Sequence, residues 1–189
     1  MMIIRQASTG DIERMHKLFS SMSVSRGDIS SPKIPQFGFY EYPLTEGNFA
    51  QRVNNQPFSL IIEQGVELKG YILAYKVRDI PSHEPKDAVL NRIGCLEKDV
   101  VYVDQLCMQP GLPIHLAGRF IDTFEHVLRC EKIPGIAAVI PQKPWTNVSS
   151  TRLALHRGLY KAGLISAGEI EFAVFGKPYW DKDIPFKLN

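Results

Sequence analysis

Cysteine is scarce in this 189-residue chain. Cys95, Cys107 and Cys130 are odd in number and widely spaced, which fits neither a disulfide framework nor a zinc ribbon. They read as reduced thiols, with Cys107 and Cys130 in the core. No apolar run reaches the roughly 18 residues that a bilayer-spanning helix needs, and Met1-Met2-Ile3-Ile4-Arg5-Gln6 is too short for a secretory signal. A cytoplasmic protein without a membrane partner is expected. An excess of either charge is also lacking, since 22 Lys plus Arg face 20 Asp plus Glu. Without a strong positive field, nucleic acid is not an expected partner. His16, His83 and His126 show no ligand spacing with one another or with the cysteines, so no metal site is expected. The Gly-x-Ser-x-Gly elbow and the Gly-x-x-x-x-Gly-Lys phosphate loop are both missing, which removes the main supports for a hydrolase or an NTPase.

What is present is a globular composition, 44% hydrophobic and 22% charged. The length suits one domain over residues 1–189. Ile3 to Ala7 is β-prone, and Ser8-Thr9-Gly10-Asp11 supplies caps for a helix whose apolar stripe is Ile12, Met15, Phe19 and Met22. A long loop at about 23–44 carries Phe37, Phe39, Tyr40 and Tyr42, either packed or forming an aromatic wall. Thr45 to Val53 reads as a short helix. Phe58–Gln64 and Leu68–Val77 form a hairpin around Gly65-Val66-Glu67.

Residues at about 78–98 form an insertion, with Pro81, Pro85 and a surface helix over 87–93. Val100 to Met108 is a buried strand stopped by Gln109-Pro110-Gly111. The longest helix follows, with Leu116, Phe120, Phe124 and Val127 as its stripe and Ile133-Pro134-Gly135 as its end. Ile136 to Ile140 is a strand. A helix from about Ser149 to Ala162 buries Leu155, Leu159 and Ala162, and Ile170 to Phe175 is the last strand. The class is mixed α/β. The apolar tail around Trp180 and Phe186 leaves a homodimer open.

This order of elements resembles the GNAT (Gcn5-related N-acetyltransferase) superfamily over nearly the whole chain. Ile4 to Ile12 is similar to the family's opening strand and helix, Leu68-Lys69-Gly70-Tyr71-Ile72 to its third strand, and Asp104 to Pro110 to its central fourth strand. Asn147, Ser150, Leu153 and Gly163-Leu164 resemble its closing helix. The resemblance implies a central, mostly antiparallel, twisted sheet with helices on both faces, and transfer of an acyl group from acetyl-CoA or another acyl-CoA to an amine. It departs from the family at the pyrophosphate loop. With Pro110 aligned on the family proline, Pro113, Ile114, Leu116 and Gly118 fall on the basic, two glycine and final small positions, and Gly118 alone matches.

The function implied is an acyl-CoA-dependent N-acyltransferase with a small-molecule or peptide amine acceptor. The alternative is a non-catalytic GNAT-fold binding module. The resemblance implies cofactor contacts from Leu106, Met108, Gly111, Ile114, His115, Leu116, Gly118, Arg119 and Asn147, and acceptor contacts from Phe39 and Tyr40. It makes Asp104 the base that deprotonates the amine and Tyr160, in the last helix, the acid that protonates the thiolate, with His156 next. Read from the residues alone, Leu106 and Met108 are strand core, Asp104 is an exposed or hydrogen-bonded strand residue with Tyr102 on the same face, and Tyr160 is a packed surface aromatic. Pro113 suits the first position of its helix, with Ile114, His115 and Leu116 as available backbone donors. No base is paired with Cys107, which reads as an inert thiol.

Overall fold

The structure is a computed structural model that describes residues 1–29, 38–40, 45–53, 58–79, 89, 93, 96 and 98–179. Phe37, Tyr42, Pro81, His83, Pro85, Cys95, Trp180 and Phe186 lie outside the described residues. In chain order the elements begin β1 (Met2–Gln6), α1 (Ile12–Ser21), β2 (Ser23–Val24), α2 (Arg26–Ile29), β3 (Phe39–Tyr40) and α3 (Glu46–Val53). Then come β4 (Leu60–Gln64), β5 (Glu67–Lys76), β6 (Val101–Met108), α4 (Ile114–Cys130), β7 (Gly135–Lys143), α5 (Val148–His156), β8 (Tyr160–Ala167) and β9 (Ile170–Pro178). The fold is mixed α/β, with a seven-stranded sheet. The chain forms two compact units, each built from three separate segments.

The first unit comprises Met1–Ser21, Pro43–Tyr75 and Val103–Ile133. Its strands run in the order β1-β4-β5-β6. β4 pairs antiparallel with both β1 and β5, and Gly65, at φ 60°, turns the β4–β5 hairpin where the sequence places it. Gly70 on β5 has a steric reason to be glycine. A Cβ there would meet the Cys107 carbonyl oxygen at 2.8 Å, so a larger residue pushes β5 off β6. α1 and α3 close over this sheet through aromatic edges: Phe49 meets Tyr71, Phe19 and His16 with ring centroids 5.9, 5.7 and 5.8 Å apart.

A charged clamp fixes the start of the chain. Arg5 on β1 donates two hydrogen bonds to Asp11 at 2.7 and 2.8 Å and reaches Glu63 on β4 at 2.9 Å. Arg14 on α1 donates to both carboxylates, at 3.2 and 3.0 Å. Asp11 also accepts from the Ser8 amide and hydroxyl, each at 2.9 Å, which caps the helix. Burial alone would raise the Asp11 carboxyl, but these donors, Arg5 foremost, bring it down to about 2.

The second unit comprises Met22–Tyr42, Lys76–Tyr102 and Pro134–Asn189. Its larger strands run β7-β9-β8, antiparallel throughout. β8 was not expected from the sequence, which carries the closing helix on to Ala162. The helix ends at His156 because Gly158 takes φ 76°. The Gly158 and Leu159 amides then fold back on the Leu155 and Ala154 carbonyls at 3.0 Å, a left-handed helix stop. Tyr160 therefore begins a strand and does not lie in the helix. Leu155, expected in the core, is 55% exposed. Cys130 is exposed as well. It falls off the Phe120, Ile121, Phe124 and Leu128 stripe of α4. Of the helix expected over 87–93, Val89 and Ile93 are helical, and both are buried.

The clamp around Asp11 makes an acid-range prediction. Its folded pKa lies below the usual carboxylate value of 3.8, so its contribution is complete above about pH 5 and is lost as pH falls toward 2. The loss is roughly 2 kcal/mol. Urea unfolding followed from pH 5 to pH 2 should show that fall, and Asp11→Asn should flatten it. An equal slope in wild type and variant would contradict the clamp.

Candidate functional site

In the first unit the candidate site builds outward from β6, whose residues alternate between the core and partial exposure. Gln105 and Cys107 are buried, while Val103, Asp104, Leu106 and Met108 are partly exposed. Asp104 is unusual among these. Its side chain is 1% exposed, so what reaches solvent is its main chain. The carboxylate lies against Arg52 of α3, whose Nε donates to Oδ2 at 2.7 Å and whose side chain is fully buried. A second guanidinium nitrogen donates to the Asn48 carbonyl at 3.2 Å. Two opposite charges withdrawn from water hold each other in place.

The opposite side chains of β6 join a neutral network. Tyr71 donates to Gln105 Oε1 at 2.6 Å, and the buried Gln105 Nε2 has no partner among the described residues. Burial pushes the Cys107 thiol up to about 12, against a lowering contribution from Tyr71. Such a thiol holds its proton at neutral pH and is no nucleophile. Burial, reinforced by Cys107 and Asp104, raises the Tyr71 hydroxyl well above its ordinary value.

Beyond β6 the chain reverses sharply. The Gln109 amide donates to Lys69 of β5 at 2.8 Å, and the Leu112 amide donates to Gln109 at 3.1 Å. Pro110 and Gly111, at φ 87°, occupy the middle of this turn as the type II geometry requires. Pro113 then stands at the N-cap of α4, one position before its expected place. Its carbonyl accepts the Leu116 amide at 2.9 Å and the Ala117 amide at 3.0 Å. Leu116 is therefore not the free backbone donor the sequence suggests. The amides of Ile114 and His115 have no acceptor among the described residues. Ile114 is 89% exposed, His115 and Arg119 are exposed, and Leu116 and Gly118 are partly so. Leu106, Met108, Gly111 and these first α4 residues thus follow one another along a single strand–turn–helix.

The second unit brings together another set. Asn147 caps α5 by accepting the Ser150 amide at 3.0 Å, and its amide nitrogen donates to the Gly38 carbonyl at 3.0 Å. Phe39 donates to the Met22 carbonyl at 3.0 Å, so β3, which holds Phe39 and Tyr40, lies parallel beside β2. Gly38 takes φ 125°, and a Cβ there would meet Met22 O at 2.5 Å. Asn147 is thereby tied to the aromatic segment. Tyr160 is 45% exposed at the head of β8, and His156 is exposed at the end of α5.

Arg52 escaped the sequence reading. The available signal was its spacing: it lies three residues after Phe49 on the stripe that α3 buries. Among the described residues, no group of three His, Cys, Asp or Glu could hold a metal ion. No helix among them is long and apolar enough to cross a membrane.

Removing one member of the buried pair takes from the other the counter-charge that lies 2.7 Å away. Arg52→Met should lower stability in urea unfolding by about 3 kcal/mol or more. Adding Asp104→Leu should recover much of that loss. A single-variant loss below about 1 kcal/mol, the scale of an exposed pair, would contradict the buried geometry.

No family model and no curated protein matches the sequence. Solved structures do match. A GNAT-family acetyltransferase from Listeria monocytogenes is 16% identical, with TM-score 0.59 over 94% of this chain and 95% of that one. The ribosomal-protein-S18-alanine N-acetyltransferase from Escherichia coli is 10% identical, with TM-score 0.62 over 98% and 100%. The PaiA N-acetyltransferase from Thermoplasma acidophilum, in complex with coenzyme A, is 10% identical, with TM-score 0.62 over 95% and 99%. These likenesses run across nearly all of each chain, and the protein accordingly has the fold of the GNAT acetyltransferases.

Proposed function

We propose that the chain acts as a single GNAT-like domain, a cytosolic acyl-CoA-dependent N-acyltransferase in which an amine attacks the thioester directly in a ternary complex. The observation that carries this reading is the GNAT fold, matched over 94% or more of the chain to structures that include a coenzyme A complex. The solvent-reaching main chain at Asp104 supports it. On this reading the β6 backbone around Leu106 and Met108 polarises the thioester carbonyl, where negative charge develops as the amine attacks. An amine bearing its proton cannot attack, so a base must take that proton before or during bond formation. Asp104 is the proposed base, held in place by the Arg52 guanidinium.

Tyr160, 45% exposed at the head of β8, is the proposed acid for the departing thiolate. Phe39 and Tyr40 are proposed to contact the acceptor, a small or peptide amine. The second reading, a binding module without catalysis, draws on the α4 terminus, where two prolines and an internally bonded Leu116 amide leave little for an anion.

Turnover is testable with a panel of amines and peptide N-termini in the presence of acetyl-CoA. Acetylation of at least one acceptor is expected. Tyr160→Phe should then lower kcat by about 100-fold, the scale of one general acid, with KM for acetyl-CoA within twofold of wild type. An unchanged kcat would remove Tyr160 from the chemistry. A panel that yields no acetylated product would favour the binding module.

A further inference from the structure

We propose that the outer edge of β8 is a docking surface for an extended acidic segment of a partner protein, which adds to the sheet as a further strand. The proposal goes beyond acyl transfer and does not depend on it.

β8 ends its sheet: β9 pairs with it along one side, and no described strand lies along the other. A strand in that position turns a row of main-chain N–H and C=O groups outward, which is a template for another strand. From Lys161 to Ala167, no main-chain group bonds a described residue of another element except in β9. Such edges are commonly blunted by proline, by charge or by a bulge. β8 has a bulge between Lys161 and Gly163, and beyond it the register with β9 runs unbroken to Ala167. That stretch, Gly163-Leu164-Ile165-Ser166-Ala167, holds no proline and no charge. Ile165 is buried, whereas Leu164 is 46% exposed, so the strand offers an apolar contact as well as main chain.

The charges at the start of this edge have one sign. No Asp or Glu occurs from Lys132 to Gly168. Lys161 is exposed and lies opposite Phe175 in the register. Arg157 precedes β8 closely, and its carbonyl accepts from Lys177 of β9 at 2.8 Å, which brings a third cation to the same end. Arg152 is exposed on α5. The acidic groups of the β8–β9 hairpin lie at its other end, Glu169 in the turn and Glu171 3.4 Å from Lys143.

A second copy of this chain is a poor occupant. Two β8 edges brought together carry the same cations to the junction, and like charges across a strand pair are destabilising. An acidic strand meets Lys161 with the opposite sign, which supplies both attraction and choice of partner. An anionic polymer without a peptide backbone answers the charge but cannot form the ladder.

Fluorescence anisotropy with the full chain and three labelled peptides tests this. (Glu-Val)5 should bind about tenfold more tightly than (Lys-Val)5, which has the wrong sign, and than (Glu-Pro)5, which has the charge but lacks half the N–H groups of a strand. Lys161→Glu, checked first for an unchanged melting temperature, should weaken (Glu-Val)5 by about fivefold. Amide chemical shifts on binding should change along Lys161 to Ala167. Equal binding of (Glu-Val)5 and (Glu-Pro)5 would mean attraction by charge alone and overturns the proposal. Absence of (Glu-Val)5 binding, an unchanged affinity in the Lys161→Glu variant, or shifts confined to other segments overturns it as well. A dimer of the chain, seen by sedimentation, whose formation excludes (Glu-Val)5 would assign the edge to a second copy and likewise overturn it.

Discussion

The first unit depends on one interaction, the ion pair between Arg52 and Asp104. Both side chains are removed from water, and each charge offsets part of the cost of burying the other. The pair ties α3 to β6 through a hydrogen bond of 2.7 Å. Around it the packing is apolar and interlocked: Phe49, three residues before Arg52, stacks edge-on against Tyr71. Gly70 lets β5 approach the carbonyl of Cys107. Strand, helix and hairpin are in this way tied to the residues from which the proposed chemistry would start.

That arrangement also shapes what β6 can do. Asp104 is bonded to Arg52 and Gln105 Oε1 to Tyr71, Gln105 Nε2 has no partner among the described residues, and the thiol is held protonated. On the proposed reading the strand acts through its backbone around Leu106 and Met108 and through the Asp104 carboxylate. A main-chain site tolerates wide variation in side chains, which fits a GNAT fold retained at 10–16% identity to its structural neighbours. At the turn after β6 the same logic works in reverse. There backbone donors are the resource, and prolines with internal hydrogen bonds use most of them up.

Much of this was legible in the sequence, and the failures have physical causes. The β4–β5 hairpin announced itself through two apolar runs around Gly65, and the α1 start through Ser8 and Asp11, because both signals are local. β8 did not: Tyr160 to Ala167 buries only Ile165, so it lacks the apolar alternation that marks a half-buried strand. Gly158 was the available stop signal, and its left-handed φ moves Tyr160 from helix to strand. The Arg52–Asp104 pair spans 52 positions in sequence, and no spacing rule connects a helix residue with a strand residue so distant. Asn147 could be read as a helix cap, but its second bond, to Gly38, is a tertiary contact that no local pattern encodes.

A thioester donor is proposed to bind at the β6 backbone and the start of α4. Amide chemical-shift mapping of the isotope-labelled chain during titration with acetyl-CoA tests that most directly. The account predicts shifts concentrated between Asp104 and Met108, with smaller ones at Ile114 and His115. A spectrum unchanged at saturating ligand, or shifts confined to residues outside these two segments, would contradict it.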